Sequence, residues 1–282
     1  MANIKQLDPS ASPLDYYGAE LRRLREAANM TLKELGESVF CTGSLVGQVE
    51  TALKVPTRDF SARVDAAFNT DGMFSRLVSL VLRNQLPTWF QPFAEMEAKA
   101  THISTYQAQL VYGLLQTSGY ARAVLETGDA KRVEELLAGR MERQRILEAA
   151  RPPLALVVLD EAVLHRPIGG AEVMREQLAH LLEYAERPWV QIQVLPNSVG
   201  QHASLAGSFT ALRFTNDHEL VYTEDLISGH MTADADTVRE GARRYASLQA
   251  AALSEEDSAK LIKRVMEERY GPRSAVGEHP VA

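Results

Sequence analysis

Two pairs of adjacent carboxylates, Asp160–Glu161 and Glu224–Asp225, are the residue types in this sequence that come closest to catalysis. Acidic side chains gathered at strand ends can hold Mg²⁺, because a hard cation takes oxygen ligands. Both pairs fall at the ends of expected strands. There, capping of the next element and solvation is the preferred reading. The seven histidines show no His-x₃-His spacing, and a single cysteine excludes a Cys-x₂-Cys pair, so no zinc site is expected. Cys41 sits at an apolar helical position and is read as a buried thiol, not a nucleophile. The sequence has no Gly-x-Ser-x-Gly elbow and no phosphate-cradling glycine loop. We therefore expect no enzyme, no catalytic residue, no metal and no cofactor.

A different chemistry lies between Thr31 and Arg58. Thr42 and Ser44 carry hydroxyls that can reach bases or phosphates, and the Gln48 carboxamide can bond an adenine edge through two hydrogen bonds. Two short helices must position them. Thr31 followed by Glu34 has the spacing of a capping box and opens a helix over Leu32–Val39. A second helix runs from Gly43 to Thr51. Leu35, Val39, Cys41, Val46 and Val49 supply apolar inward positions, and Gly36 supplies the small residue that a steep crossing needs. A glycine inside a helix costs about 1 kcal/mol against alanine, so a packing reason is expected for it. In such a pair the second helix lies in the major groove with its first residues toward base edges.

The run CTGSLVGQVETALKVPT, Cys41 to Thr57, resembles the reading helix and following turn of the Xre/Cro-type helix-turn-helix regulators. Val46, Val49, Glu50 and Pro56 match that pattern. The resemblance implies that Thr42, Gly43, Ser44, Gly47 and Gln48 face the groove. Lys33, Lys54 and Arg58 are candidate phosphate contacts, which position a domain without reading sequence. Two residues depart from the pattern. Phe40 and Ala52 stand where the family has glycine, at turns where φ is positive. The reading helix carries no arginine, so strong guanine readout is not expected.

Further helices are expected at Tyr16–Asn29, Arg58–Phe68 and Phe74–Arg83, which completes a five-helix unit. Gln85–Pro92 breaks the pattern and reads as a linker. Beyond it, helical patterning covers Glu95–Tyr106, Tyr120–Leu125, Lys131–Ala149, Glu172–Arg187, Asp234–Leu253 and Glu255–Arg269. Leu154–Asp160 is a continuous apolar run suited to a buried strand, and Val190–Leu195 alternates at period two. Phe209–Phe214 and Leu220–Glu224 are two more expected strands. The expected fold is thus multidomain α and α+β. An N-terminal helix-turn-helix domain over 13–84 precedes an α+β domain with about four strands over 85–270. Residues 1–12 and the tail after Gly271 are expected to be loose.

The second part resembles the domain fused to such heads in the actinobacterial WhiJ-like group of antitoxin-like transcriptional regulators. YGLLQTSGYARAVL, Tyr112 to Leu125, is the most specific piece, although Tyr112 replaces the family's proline. Arg143-Gln144, Asp160-Glu161, Gly169-Gly170, Gln177-Leu178, Ile192–Pro196, Tyr222 and Glu224 follow in order. The resemblance implies a transcriptional regulator of double-stranded DNA, with a C-terminal domain for homodimerisation and binding of a small partner protein or ligand. The alternative is a protein-interaction adaptor with weak or vestigial DNA binding.

Composition agrees with a folded, non-membrane chain. Hydrophobic residues make up 45% and charged residues 24% of 282, which excludes wholesale disorder. The longest apolar run is Leu154–Leu159, far short of the ~20 residues that cross a bilayer. No signal-peptide pattern opens the sequence, so a cytoplasmic location is expected. Residues 1–83 carry 10 basic and 10 acidic side chains, and residues 84–282 carry 20 and 27, so the net charge of −7 resides in the second part. That balance argues against general nucleic-acid coating but permits a local binding face.

Overall fold

The computed structural model describes residues 7–128, 132–215 and 218–271. The expected loose ends at residues 1–6 and beyond Gly271, and the expected helix start at Lys131, lie outside them. The chain divides into two compact units. One is Met1–Gln91 with Glu134–Glu142, and the other is Pro92–Val133 with Arg143–Ala282.

The first unit holds α1 (Pro13–Ala27), α2 (Leu32–Ser38), α3 (Gly43–Glu50), α4 (Arg58–Phe68) and α5 (Met73–Arg83). Four of the five start on a side-chain cap. Ser12, Thr31, Thr42 and Thr57 each accept from the amide three residues on, satisfying a donor that the helix itself cannot. The Thr31–Glu34 box forms in both directions. Fully buried Tyr17, Leu21, Leu35, Val39, Val46, Val64, Phe74 and Val78 make the core. Tyr17 packs edge-on to Phe74 at 4.9 Å and hydrogen-bonds Ser61 at 2.8 Å. α5 has no side-chain cap of its own type. Asp65 of α4 serves instead, accepting from the amides of Phe74 and Ser75, both at 2.8 Å.

This unit also takes Glu134–Glu142 of a later helix, α8 (Val133–Gln144). Ala138 packs on the core, and a Cβ at Gly139 would stand 3.1 Å from the Leu82 carbonyl. The expected boundaries, 13–84 and 85–270, put this segment wholly in the second domain, whereas it belongs to the first unit. Its apolar spacing marks a buried face without saying which core that face covers.

The second unit is built on a six-stranded sheet in the order β3-β2-β1-β4-β5-β6. The strands are β1 (His102–Gln107), β2 (Leu154–Asp160), β3 (Val190–Leu195), β4 (Phe209–Arg213), β5 (Glu219–Glu224) and β6 (Gly229–Thr232). β1, β2 and β3 run parallel, while β4, β5 and β6 pair antiparallel. The helices of this unit include α6 (Gln91–Glu97), α7 (Ser118–Leu125), α9 (Glu161–His165), α10 (Gly170–Ala185), α11 (Ala235–Ala251) and α12 (Glu255–Tyr270). α10 and α12 pack together, and α12 lies on β3.

Two expectations are corrected here. The helical pattern over Glu95–Tyr106 ends at Glu97, and His102–Gln107 is a central strand. Buried Thr105 disguised it, because its hydroxyl is satisfied inside the sheet by the Phe209 carbonyl and Thr210 Oγ1. The sheet has six strands rather than about four, since β6, only four residues long, also escaped notice.

The loop before α7 is held by amide side chains. Gln116 Nε2 donates to the Val111 carbonyl, and Gln144 Nε2 donates to those of Gly113 and Gln116. Gln177, fully buried, donates to Leu115 and accepts from the Thr117 amide. A buried backbone polar group without a partner is costly, so this YGLLQT segment depends on three glutamines for its shape. Beside it, Arg143 forms a buried ion pair with Glu97 at 2.6 Å, and Tyr112 donates its hydroxyl to the same carboxylate.

Candidate nucleic-acid interface

α2 and α3 cross closely because Gly36 has no side chain. A Cβ there would lie 2.8 Å from the Cys41 carbonyl oxygen and from the Gly43 nitrogen. Val46 and Val49 turn into the core, and Thr42, Ser44 and Gln48 are exposed. Ser44 and Gln48 are four apart and so share one face of the helix. The Thr42 hydroxyl accepts from the Leu45 amide at 3.2 Å, which sets the start of α3.

The remaining expected contacts are placed less uniformly. Lys33 is exposed on α2 with Glu37 at 3.8 Å, and Lys54 is exposed after α3 with no ion pair among the described residues. Gly43 and Gly47 turn their Cβ positions toward Leu32 of α2, at 3.0 and 3.3 Å. These two glycines therefore serve the approach of the helices. Arg58 stands apart from the α3 face in its bonding. Its Nε donates to Glu142 Oε2 at 2.8 Å, and its Nη2 donates to Ser79.

The turns flanking α3 keep the left-handed backbone without glycine. Phe40 and Ala52 both have φ of 55°. The Phe40 ring is 81% exposed. Arg63 Nη1 donates to the carbonyls of Val39 and Phe40, with its guanidinium 5.9 Å from the Phe40 ring centre. Cys41 is half-buried, and that burial raises its thiol above the ordinary value, with Arg63 opposing.

Charge on α3 is cancelled internally. Glu50 is buried against α1, where Arg25 meets it with two hydrogen bonds and Arg22 Nη2 donates to its carbonyl. Arg22 and Arg25 of α1 are functional neighbours of α3 that the sequence pattern does not single out. The available signal was Glu50 itself, a carboxylate beside two inward valines, which demands a buried cation.

The carboxylates at the strand ends are engaged locally. Asp160 caps α9 through the Ala162 amide and accepts from the Tyr106 hydroxyl at 2.9 Å. Glu161 accepts from the Asn197 amide, and Asp225 accepts from Ile227 and Ser228. Among the described residues no group of three or more His, Cys, Asp or Glu is placed to hold a metal ion. No helix among them is long and apolar enough to cross a membrane.

Residues 17–73 match the family described as a helix-turn-helix domain. Residues 90–264, more than half of the chain, match a domain of unknown function, DUF5753. Neither a curated protein nor a solved structure matches the chain.

Proposed function

From the premise that this chain belongs to the family defined by the domain of unknown function DUF5753, here behind a helix-turn-helix head, we propose that it is a sequence-specific transcriptional regulator. In this reading it is of the Xre/Cro type and WhiJ-like. The head reads double-stranded DNA, and the second unit dimerises and binds a small partner protein or ligand. The observation that carries it is the exposed, uncharged face of α3. Thr42, Ser44 and Gln48 stand ready for base edges while every charged group of that helix is buried and paired.

Gln48 is the base reader in this scheme, and Lys33 and Lys54 are phosphate contacts. A homodimer fits because one head covers one half-site, and two heads read half-sites about 34–36 Å apart. No catalytic role, metal or cofactor is part of the proposal. A cytoplasmic setting suits it.

The test is selection of genomic DNA fragments by the purified full chain, repeated with Gln48→Ala across a salt series. A recovered near-palindromic site whose preference weakens in the variant is the expected result. Recovery of nothing beyond non-specific, salt-sensitive background would overturn it. The adaptor reading is favoured by the head's even charge balance, 10 basic against 10 acidic. A stable protein partner captured without DNA affinity would support that reading.

A further inference from the structure

The second unit contains an open trough of about 940 Å³, lined from three elements. Met96 and Lys99 come from the end of α6 and the residues after it. Phe214 and Leu220 come from the β4–β5 pair, and Val238 and Ala242 come from α11. Its origin lies in the size of the side chains. α11 lies tight on β5 at Gly241, where a Cβ would stand 2.8 Å from Val221 Cγ2. The helix turns the small residues Ala235, Val238 and Ala242 to the trough, with Arg239 also in its lining.

The volume falls within the roughly 300–1,000 Å³ of small-molecule sites, which are mostly apolar with a few placed polar groups. The polar groups here have a definite sign. Glu219, the one carboxylate among the described lining residues, is already paired with Arg213 at 2.6 Å. Lys99 has no ion pair among the described residues, and Arg239 meets only the exposed Asp236, a contact of the kind that contributes little. Among the described residues, an ammonium without a carboxylate partner therefore borders an apolar trough, in the part of the chain that holds all of its acid excess.

We propose that this trough binds an amphipathic organic acid, with its apolar body against Met96, Phe214, Leu220 and Val238 and its carboxylate at Lys99. The proposal rests on reading the second unit as a ligand-binding control unit, and names its site and the class of ligand.

Calorimetric titration of the full chain with decanoate tests it, with decylamine as the probe of opposite charge. Saturable binding of one decanoate per chain is expected, with decylamine at least tenfold weaker. Lys99→Gln, at an exposed position, should weaken decanoate about tenfold while leaving the unfolding temperature unchanged. Val238→Trp should fill the trough and abolish binding. Absence of saturable binding, equal binding of the amine, or decanoate affinity unchanged in Lys99→Gln would each overturn the site. DNA binding is measured on the same samples. Loss of the ligand with DNA selection intact overturns the trough alone, and the reverse outcome overturns the regulator reading alone.

Discussion

Arg25 and Glu50 meet side by side beneath α3. Arg25 Nε donates to Glu50 Oε1 at 2.6 Å and Nη2 donates to Oε2 at 2.9 Å, while Nη1 of the same guanidinium holds the Met30 carbonyl. The pair joins the last residue of α3 to α1. Breaking a buried ion pair from one side strands the other charge, at a cost of about 3–5 kcal/mol. Glu50→Ala should therefore destabilise the head by about that amount in urea unfolding and lower DNA affinity with it. Arg25→Ala combined with Glu50→Ala should cost clearly less than the two singles added. Strict additivity would show that the pair is not coupled.

Ala52 tests backbone strain. A non-glycine residue at φ of 55° carries a steric cost that glycine does not. Ala52→Gly should stabilise the head by roughly 0.5–1 kcal/mol, the strain relieved less the entropy gained by the unfolded chain. Phe40→Gly should gain less, because Arg63 loses the ring it lies over. Lower stability in Ala52→Gly would contradict the strain argument.

Arg58 and Glu142 bear on DNA affinity. If Arg58 is a phosphate contact, Glu142 competes with DNA for its guanidinium. Glu142→Gln should tighten DNA binding several-fold and steepen the dependence of log affinity on log salt by about one per head. Adding Arg58→Ala should remove both effects. A salt slope unmoved by Glu142→Gln would remove Arg58 from the interface.

Asp65 sets an acid limit. Burial raises its pKa, but hydrogen bonds from Ser75, Thr70 and the amides of Phe74 and Ser75 outweigh that and hold it below the ordinary carboxylate value. Its contribution is therefore complete above the unfolded pKa of about 3.9 and is lost as pH falls through the lower folded value. The urea midpoint of the head should drop below about pH 4. Asp65→Asn should cost about 2 kcal/mol at pH 7 and flatten that acid decline. An acid decline as steep in the variant as in the parent would assign it to other groups.

The sequence displayed its helices well because local rules made them. The Thr31–Glu34 box and the 3.6-residue spacing of Leu35, Val39, Val46 and Val49 act over a few residues. Ser44 and Gln48 were legible as a face for the same reason. Gly43 and Gly47 were not, since a glycine has no side chain whose polarity tells which way it faces. Arg58–Glu142 spans 84 residues and Thr105–Thr210 spans 105, and neither partner carries a local mark of the other. The carboxamides of Gln116, Gln144 and Gln177 lie in three segments matched through resemblance, yet only the fold shows that they converge on one loop.

The first unit is discontinuous, with Glu134–Glu142 completing what Met1–Gln91 begins. During synthesis, then, the head is still missing a piece when residue 91 leaves the ribosome. It must wait for about fifty more residues, some 3–10 s at 5–20 residues per second. A gene fragment cut after Gln91 would carry α1 to α5 without Ala138 or Glu142. Recombination can therefore move this head intact only together with the first part of the domain that follows it.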